Sequence, residues 1–308
     1  MINTQLALVR RELWEHRAIY VVPAVLILLV SLTSVTGQVA ISSLEEEVNL
    51  AILGTVNMSE NERGMAVTGV MFGISWLFFL TMIALSYFYA LDALYAERKD
   101  KSILFWRSLP VTDSATVVSK LLTAAVVIPL VTFVAILLTH VIVLVISSIW
   151  VGLRGVDAWS LIWSAAPLIE NWTATLIGVL VLPIWSAPFI GWFLFVSAFA
   201  KRSPFLFAVL PLIVIPMLER ILFGTSVFAE MLYDRNPFNM PILKDMPALE
   251  NADFEGDDLL ALAESGVNVL QFIDIGRFLT SGSVWIGVIV SGLFCSAAVY
   301  VRRYRDES

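Results

Sequence analysis

Long uncharged apolar runs separated by charged connections set the pattern of this chain. The runs lie at about 18–36, 65–91, 120–148, 172–198, 204–221 and 280–301. A helix crosses a hydrocarbon layer of about 30 Å with about 20 apolar residues. The pattern therefore predicts an all-α, polytopic membrane protein with six transmembrane helices forming one domain over 18–301. The second run exceeds the length of a crossing and can tilt or protrude. Pro183 and Pro188 should kink the fourth run, and Pro211 and Pro216 argue against a straight fifth helix, because each removes a helical hydrogen bond. These four prolines are candidate gating or path positions.

Residues 1–17 read as an amphipathic helix lying at the membrane surface. Leu6, Val9 and Leu13 recur at helical spacing, and Arg10, Arg11, Trp14 and Arg17 are the candidate membrane-interface residues. Asp113 reads as the cap of the helix that becomes the third span. The 222–278 region is polar, with Asp253, Glu255, Asp257 and Asp258 clustered, and short helices are expected near 222–233 and 258–272.

Composition agrees with lipid as the solvent. The 308 residues are 59% hydrophobic and 15% charged, with a mean hydropathy of +0.86, which excludes an ordinary water-soluble globule. A secreted protein with a single N-terminal signal is excluded too, since apolar runs recur along the whole length. Cys295 is the one cysteine, and His16 and His140 are the only histidines, so no disulfide framework, cysteine metal site or bound cofactor is expected.

The net charge of -7 matters less than its distribution. If alternate connections face opposite sides, the side with both termini holds 13 of the 19 Lys and Arg and 8 of the 26 Asp and Glu. Basic short connections are retained in the cytoplasm, which predicts an N-in/C-in orientation, a cytoplasmic tail at 302–308 and an extracytoplasmic 222–278 region. No nucleic-acid partner is expected.

Sites of chemistry are few. There is no Gly-Lys pair, hence no phosphate-binding P-loop, and neither a Gly-x-Ser-x-Gly elbow nor a His-Glu-x-x-His helix. The chain is expected not to be an enzyme. His140 is the one ionisable residue well inside a span, and Glu170, Glu219 and Arg220 sit near span ends. With no ion relay in the spans, energy for transport has to enter elsewhere. The conspicuous cytoplasmic segment 92–113 combines Glu97, Arg98, Asp100 and Arg107 with Ile103, Phe105 and Trp106. It reads either as a short amphipathic helix docking into a partner or as a topogenic loop anchored by aromatics.

The stretch from Leu94 to Thr112, Leu-Tyr-Ala-Glu-Arg-Lys-Asp-Lys-Ser-Ile-Leu-Phe-Trp-Arg-Ser-Leu-Pro-Val-Thr, followed by Ser119-Lys120-Leu121, resembles the second-to-third-span connection of ABC-2 type transporter permeases. The N-terminal surface helix and the six-span plan are similar to that family as well. The resemblance implies the membrane-spanning subunit of an ABC exporter in a bacterial cytoplasmic (inner) membrane. Its partners would be a second permease copy or a sister permease, membrane lipid and two cytoplasmic ATP-binding subunits that carry the ATP and Mg. Segment 92–113 would be the coupling helix, with Glu97 as its acidic contact. The family has a shorter connection between its last two spans, so 222–278 is a departure. Two alternatives stand beside this one: an ion-coupled carrier or channel using His140, and a membrane scaffold acting through 222–278.

Overall fold

The computed structural model describes residues 2–41, 52, 54–101, 111–243 and 269–304. Ile103, Phe105, Trp106 and Arg107 of segment 92–113, the acidic cluster and most of the helix expected at 258–272, and residues 305–308 of the tail lie outside the described residues.

Helices start where the sequence satisfies their orphan N–H groups. Ser59 and Glu62 form a reciprocal capping box, in which Ser59 Oγ accepts from the Glu62 N–H and the Glu62 carboxylate accepts from the Ser59 N–H at 2.6 Å. Thr112, not Asp113, caps the helix leading to the third span, accepting from the Ala115 N–H at 3.2 Å. Asp113 is instead the first helical residue, and its carboxylate is used elsewhere.

In chain order the helices are α1 (Ile2–Glu15), α2 (Ala18–Ile41), α3 (Glu60–Lys99), α4 (Asp113–Leu122), α5 (Ile128–Gly152), α6 (Leu168–Trp185), α7 (Ala187–Phe199), α8 (Pro204–Phe223), α9 (Val227–Asp234), α10 (Ile275–Thr280) and α11 (Gly282–Tyr304). A single wider turn, Thr123–Val127, joins α4 to α5 without a break, making one stretch of 40 residues. Among the described residues there is no sheet, only an isolated antiparallel bridge between Leu243 and Ile273.

Six of these stretches are long and apolar enough to cross a membrane: α2, α3, α4–α5, α6, α8 and α11. The chain is a polytopic, all-α membrane protein. At about 1.5 Å per residue the 40 residues of α3 span roughly 60 Å, twice the hydrocarbon thickness, so this helix projects well beyond it.

The fourth run is more than kinked. It divides at Ser186 into α6 and α7, because Pro188 has no N–H for the Ile184 carbonyl and Phe189 donates to Ser186 rather than to Trp185. By contrast, α8 runs through Pro211 and Pro216 as one helix. The helix expected at 222–233 matches α9 in part, whereas α10 lies beyond the one expected at 258–272, whose described residues Val269–Phe272 form a single tight turn.

The core gathers Phe78 and Met82 of α3, Ile128 and Ile136 of α5, Leu182 of α6, and Ile190 and Leu194 of α7. Small residues let α7 approach α11: a Cβ on Gly191 would sit 2.8 Å from Ser291 Cα and 2.9 Å from its carbonyl oxygen. The outer faces of α2 and α8 remain apolar and uncovered within the chain, with Leu28, Leu32, Leu206, Leu210 and Ile213 more than half exposed. A leucine facing lipid has no solvent to escape, so such faces carry no penalty in a bilayer.

Candidate functional site

The ends of four helices meet at one end of the bundle, here termed the basal end. α1 brings Arg11 and Glu12, α3 brings Tyr89 and Glu97, α4 brings Asp113 and Lys120, and α11 brings Arg302. On α1 the helical period turns Leu8 and Glu12 inward while Leu6, Arg10 and Trp14 face out, and this single choice of face carries a carboxylate into the interior.

Glu12 and Lys120 are wholly buried. The Lys120 ammonium donates to both oxygens of Glu12, at 2.9 and 3.1 Å, and lies 3.1 Å from Glu97. Tyr89 donates its hydroxyl to Glu12 at 2.7 Å, and Arg11 reaches Glu12 at 2.8 Å and Glu97 at 2.5 Å. On its other side Glu97 accepts from Arg302 at 2.6 Å, and Arg302 turns its Nε to Asp113 at 2.9 Å. Three carboxylates and three cations thus alternate through the layer. Burying charges costs several kcal/mol per ion unless they are paired and hydrogen-bonded, and here each carboxylate has a cation in contact.

The surrounding contacts extend this layer. Gln5 donates to the Ala115 carbonyl at 3.4 Å, tying α1 to α4 again. Arg98 donates to the carbonyls of Ser197 and Ala200 at 2.6 and 2.9 Å, closing the C-terminal end of α7, where backbone acceptors are left over. Ser197 Oγ in turn accepts from the Leu94 and Tyr95 N–H groups.

Several sequence expectations find their places here. Arg10 stacks over the exposed Trp14 ring at 4.8 Å, and Arg17 is exposed, both suited to a membrane interface. Arg11, expected to share the surface with Arg10 and Trp14, is instead mostly buried and faces Glu12 and Glu97, because the i to i+1 step on a helix turns it toward the bundle. Glu97 likewise points inward with 5% exposure, so its carboxylate is engaged within the chain rather than offered to a partner. Arg98 is bound to α7, while Asp100 is exposed just before segment 102–110.

Glu12, Lys120, Asp113, Tyr89 and Arg302 were missed as a group. In the sequence Asp113 reads as a helix cap and Glu12 belongs to the surface helix, and the one available signal was Lys120, which opens the third span within the Ser-Lys-Leu sequence. The chain matches no family model, no curated protein and no solved structure in the three comparisons made.

Could this layer hold a metal? Glu12, Glu15 and His16 bring three ligand atoms within 4.8 Å of one another. However, both oxygens of Glu12 already accept from Lys120, Tyr89 and Arg11, and the neighbouring ammonium and guanidinium repel a cation. The donor set does not fit one. Burial holds the His16 imidazole below its ordinary range, with Glu12 at 3.7 Å opposing the effect, and burial raises the Glu15 carboxyl despite Arg11.

Deeper in the bundle, His140 is 1% exposed. Its Nε2 lies 3.0 Å from the Met71 carbonyl and 3.4 Å from Ser75 Oγ, and among the described residues Nδ1 has no partner and no carboxylate adjoins the ring. Pro183 lies inside α6 and Pro188 opens α7, so both flank the division at Ser186; Pro211 and Pro216 lie on the outward-facing α8.

Proposed function

We propose that this chain is the membrane-spanning permease subunit of an ATP-driven transporter of the ABC-2 type, working as an exporter with its basal end in the cytoplasm. The observation carrying this reading is where segment 102–110 is attached. Glu97 and Arg98 stand five and four residues before it and Asp113 and Lys120 three and ten residues after it, and all four are engaged in the basal contacts that also hold α1, α7 and α11. A push on the segment is delivered to a rigid charged layer that grips several helices, and packed layers of this kind move as bodies rather than deform.

ATP hydrolysis, in this reading, belongs to a separate cytoplasmic subunit in two copies, which binds ATP and Mg, while this chain contributes the path together with a second permease. The cell location would be a bacterial cytoplasmic membrane with both termini inside. Within segment 92–113 the partner contact falls to the exposed Asp100 and to Phe105, Trp106 and Arg107. Glu97 acts one step back, as the residue that ties the segment to the bundle.

The test is co-purification with the ATP-binding subunit encoded nearby and measurement of ATP hydrolysis. Trp106→Ala combined with Asp100→Lys should leave the melting temperature of the permease unchanged, weaken co-purification and lower stimulated hydrolysis at least about tenfold, the loss of roughly 1.4 kcal/mol expected from one contact cluster. Unchanged association and hydrolysis in that variant would end the coupling assignment. An ion-coupled carrier predicts the opposite sensitivity, with flux following a proton or sodium gradient and abolished by His140→Ala.

A further inference from the structure

Two cavities stack along the groove between α3 and α6, on the side away from the basal end. The outer one, of about 400 Å³, is lined by Glu60, Asn61, Glu170 and Gln271 among others. The inner one, of about 290 Å³, is lined chiefly by Phe72, Trp76, Phe79, Ile242, Phe272 and Ile273. Asn171 and Val269 belong to the walls of both. From Glu60 to Phe79 the groove follows α3 for roughly 28 Å at 1.5 Å per residue. The 237–243 and 269–273 stretches, both from the connection between α8 and α11, line the inner half of this hydrophobic slot.

The polar groups in this groove are specific in sign. Among the described residues neither Glu60 nor Glu170 has an ion pair or a side-chain hydrogen bond, and no lysine or arginine lines either cavity. At the neck, Asn171 is only 7% exposed, yet its amide makes contacts through nitrogen alone, to Thr68 Oγ1 at 3.1 Å and Met71 Sδ at 3.6 Å. Its Oδ1 accepts from no donor among the described residues, so an acceptor stands open on the wall that both cavities share. Among the described residues of these walls an anionic head would meet two carboxylates and no cation, whereas a cationic head meets groups of matching sign.

We propose that the α3–α6 groove is a binding site for a cationic amphiphile, with its ammonium head between Glu60, Glu170 and Asn171 Oδ1 and its alkyl tail in the slot against Trp76, Phe79 and Phe272. The size matches ligand sites, which run from about 300 to 1,000 Å³ with mostly apolar walls and a few convergent polar groups. This site belongs to the chain itself and stands whether or not an ATP-binding partner drives transport.

The experiment uses the full chain in phosphatidylcholine nanodiscs, without nucleotide or partner, and radiolabelled dodecylammonium, after subtraction of uptake by empty discs. Saturable binding at one site per chain is expected, with dodecyl sulfate, of the same tail, at least about tenfold weaker as a competitor. The Glu60→Gln, Glu170→Gln double variant changes two surface positions and should lower dodecylammonium affinity about tenfold at an unchanged melting temperature. Trp76→Ala should lower it independently by removing the tail contact. Equal competition by dodecyl sulfate, or full affinity in the double variant, overturns the cationic assignment. Retention of bound phospholipid that dodecylammonium does not displace overturns it as well and gives the groove to membrane lipid.

Discussion

Arginine secures both the basal layer and the junction of α6, α9 and α11, but by different means. At the basal end Arg11 and Arg302 meet carboxylates within 2.5 to 2.9 Å. Roughly 22 Å farther along α11, counting 15 residues at 1.5 Å each from Arg302 to Gly287, Arg235 pairs with no carboxylate among the described residues. It lies over the Trp185 ring at 4.4 Å and donates to the carbonyls of Trp185 and Ser283. The Trp185 carbonyl is open because the helix divides at Ser186, and the indole Nε1 donates in turn to the Asn236 carbonyl at 3.0 Å. One region is held by opposite charges that depend on each other; the other by a cation serving a broken backbone. A full charge is indispensable only in the first.

The largest effect should therefore come from unbalancing the basal layer. Lys120→Met removes the one ammonium that both Glu12 and Glu97 touch, leaving two buried carboxylates to share Arg11 and Arg302. Breaking one partner of a buried pair costs about 3–5 kcal/mol, and a drop in thermal unfolding temperature of the purified chain measures it. Adding Glu12→Gln should recover a large part, since the double variant again has matched charges, so the two changes are non-additive. A Lys120→Met protein as stable as the parent would show the layer to be ornamental.

A milder loss is expected at the other region. Arg235→Ala removes a donor from the Trp185 carbonyl and a cation from its ring, worth about 1–2 kcal/mol together. Gly287 gives the comparison its edge. A Cβ there would come 2.6 Å from Arg235 Nη1 and 3.0 Å from Cζ, so Gly287→Ala should displace the guanidinium and cost a similar amount. If both act through the same seat, the double variant is no worse than the worse single one, whereas additive losses would place the role of Gly287 in α11 itself.

How much of this was legible beforehand follows from the same contrast. Crossings are written locally, in uncharged windows of about 20 residues, and all six were readable, including the overlong second. The break at Ser186 was half readable: Pro183 and Pro188 announced a bend, but its completeness depends on Phe189 choosing Ser186 as acceptor. The basal layer was not readable as a unit, because its partners on different helices lie 23 to 205 residues apart and each charge reads singly as an ordinary polar residue near a helix end. Arg11 and Arg10 look alike in sequence, and only the face that α1 presents separates an interior ion from a surface one. The acidic mouth of the α3–α6 groove was visible only as Glu170 near a span end, with nothing to join it to Glu60 across the fold.

The smallest effect tests the rim of the basal layer by pH. His16 lies edge-on to Tyr89, with ring centroids 4.9 Å apart, and burial favours its neutral form. The unfolded chain takes up a proton as pH falls through the ordinary value of 6.5, while the folded chain resists, so the unfolded state binds more protons there. Stability is complete above that pH and declines below it. Glu15 works against this slope: its raised carboxyl holds a proton in the folded state to higher pH than the ordinary 4.5, so its contribution falls as pH rises through that region. The two slopes have opposite sign, that of Glu15 acting above 4.5 and that of His16 below 6.5, and the His16→Gln variant separates them. Its unfolding temperature should decline less than that of the parent between pH 7 and pH 5.5. Parallel pH profiles for the parent and His16→Gln would place the imidazole outside the energetics of the layer and confine the charge dependence to the six ions beneath it.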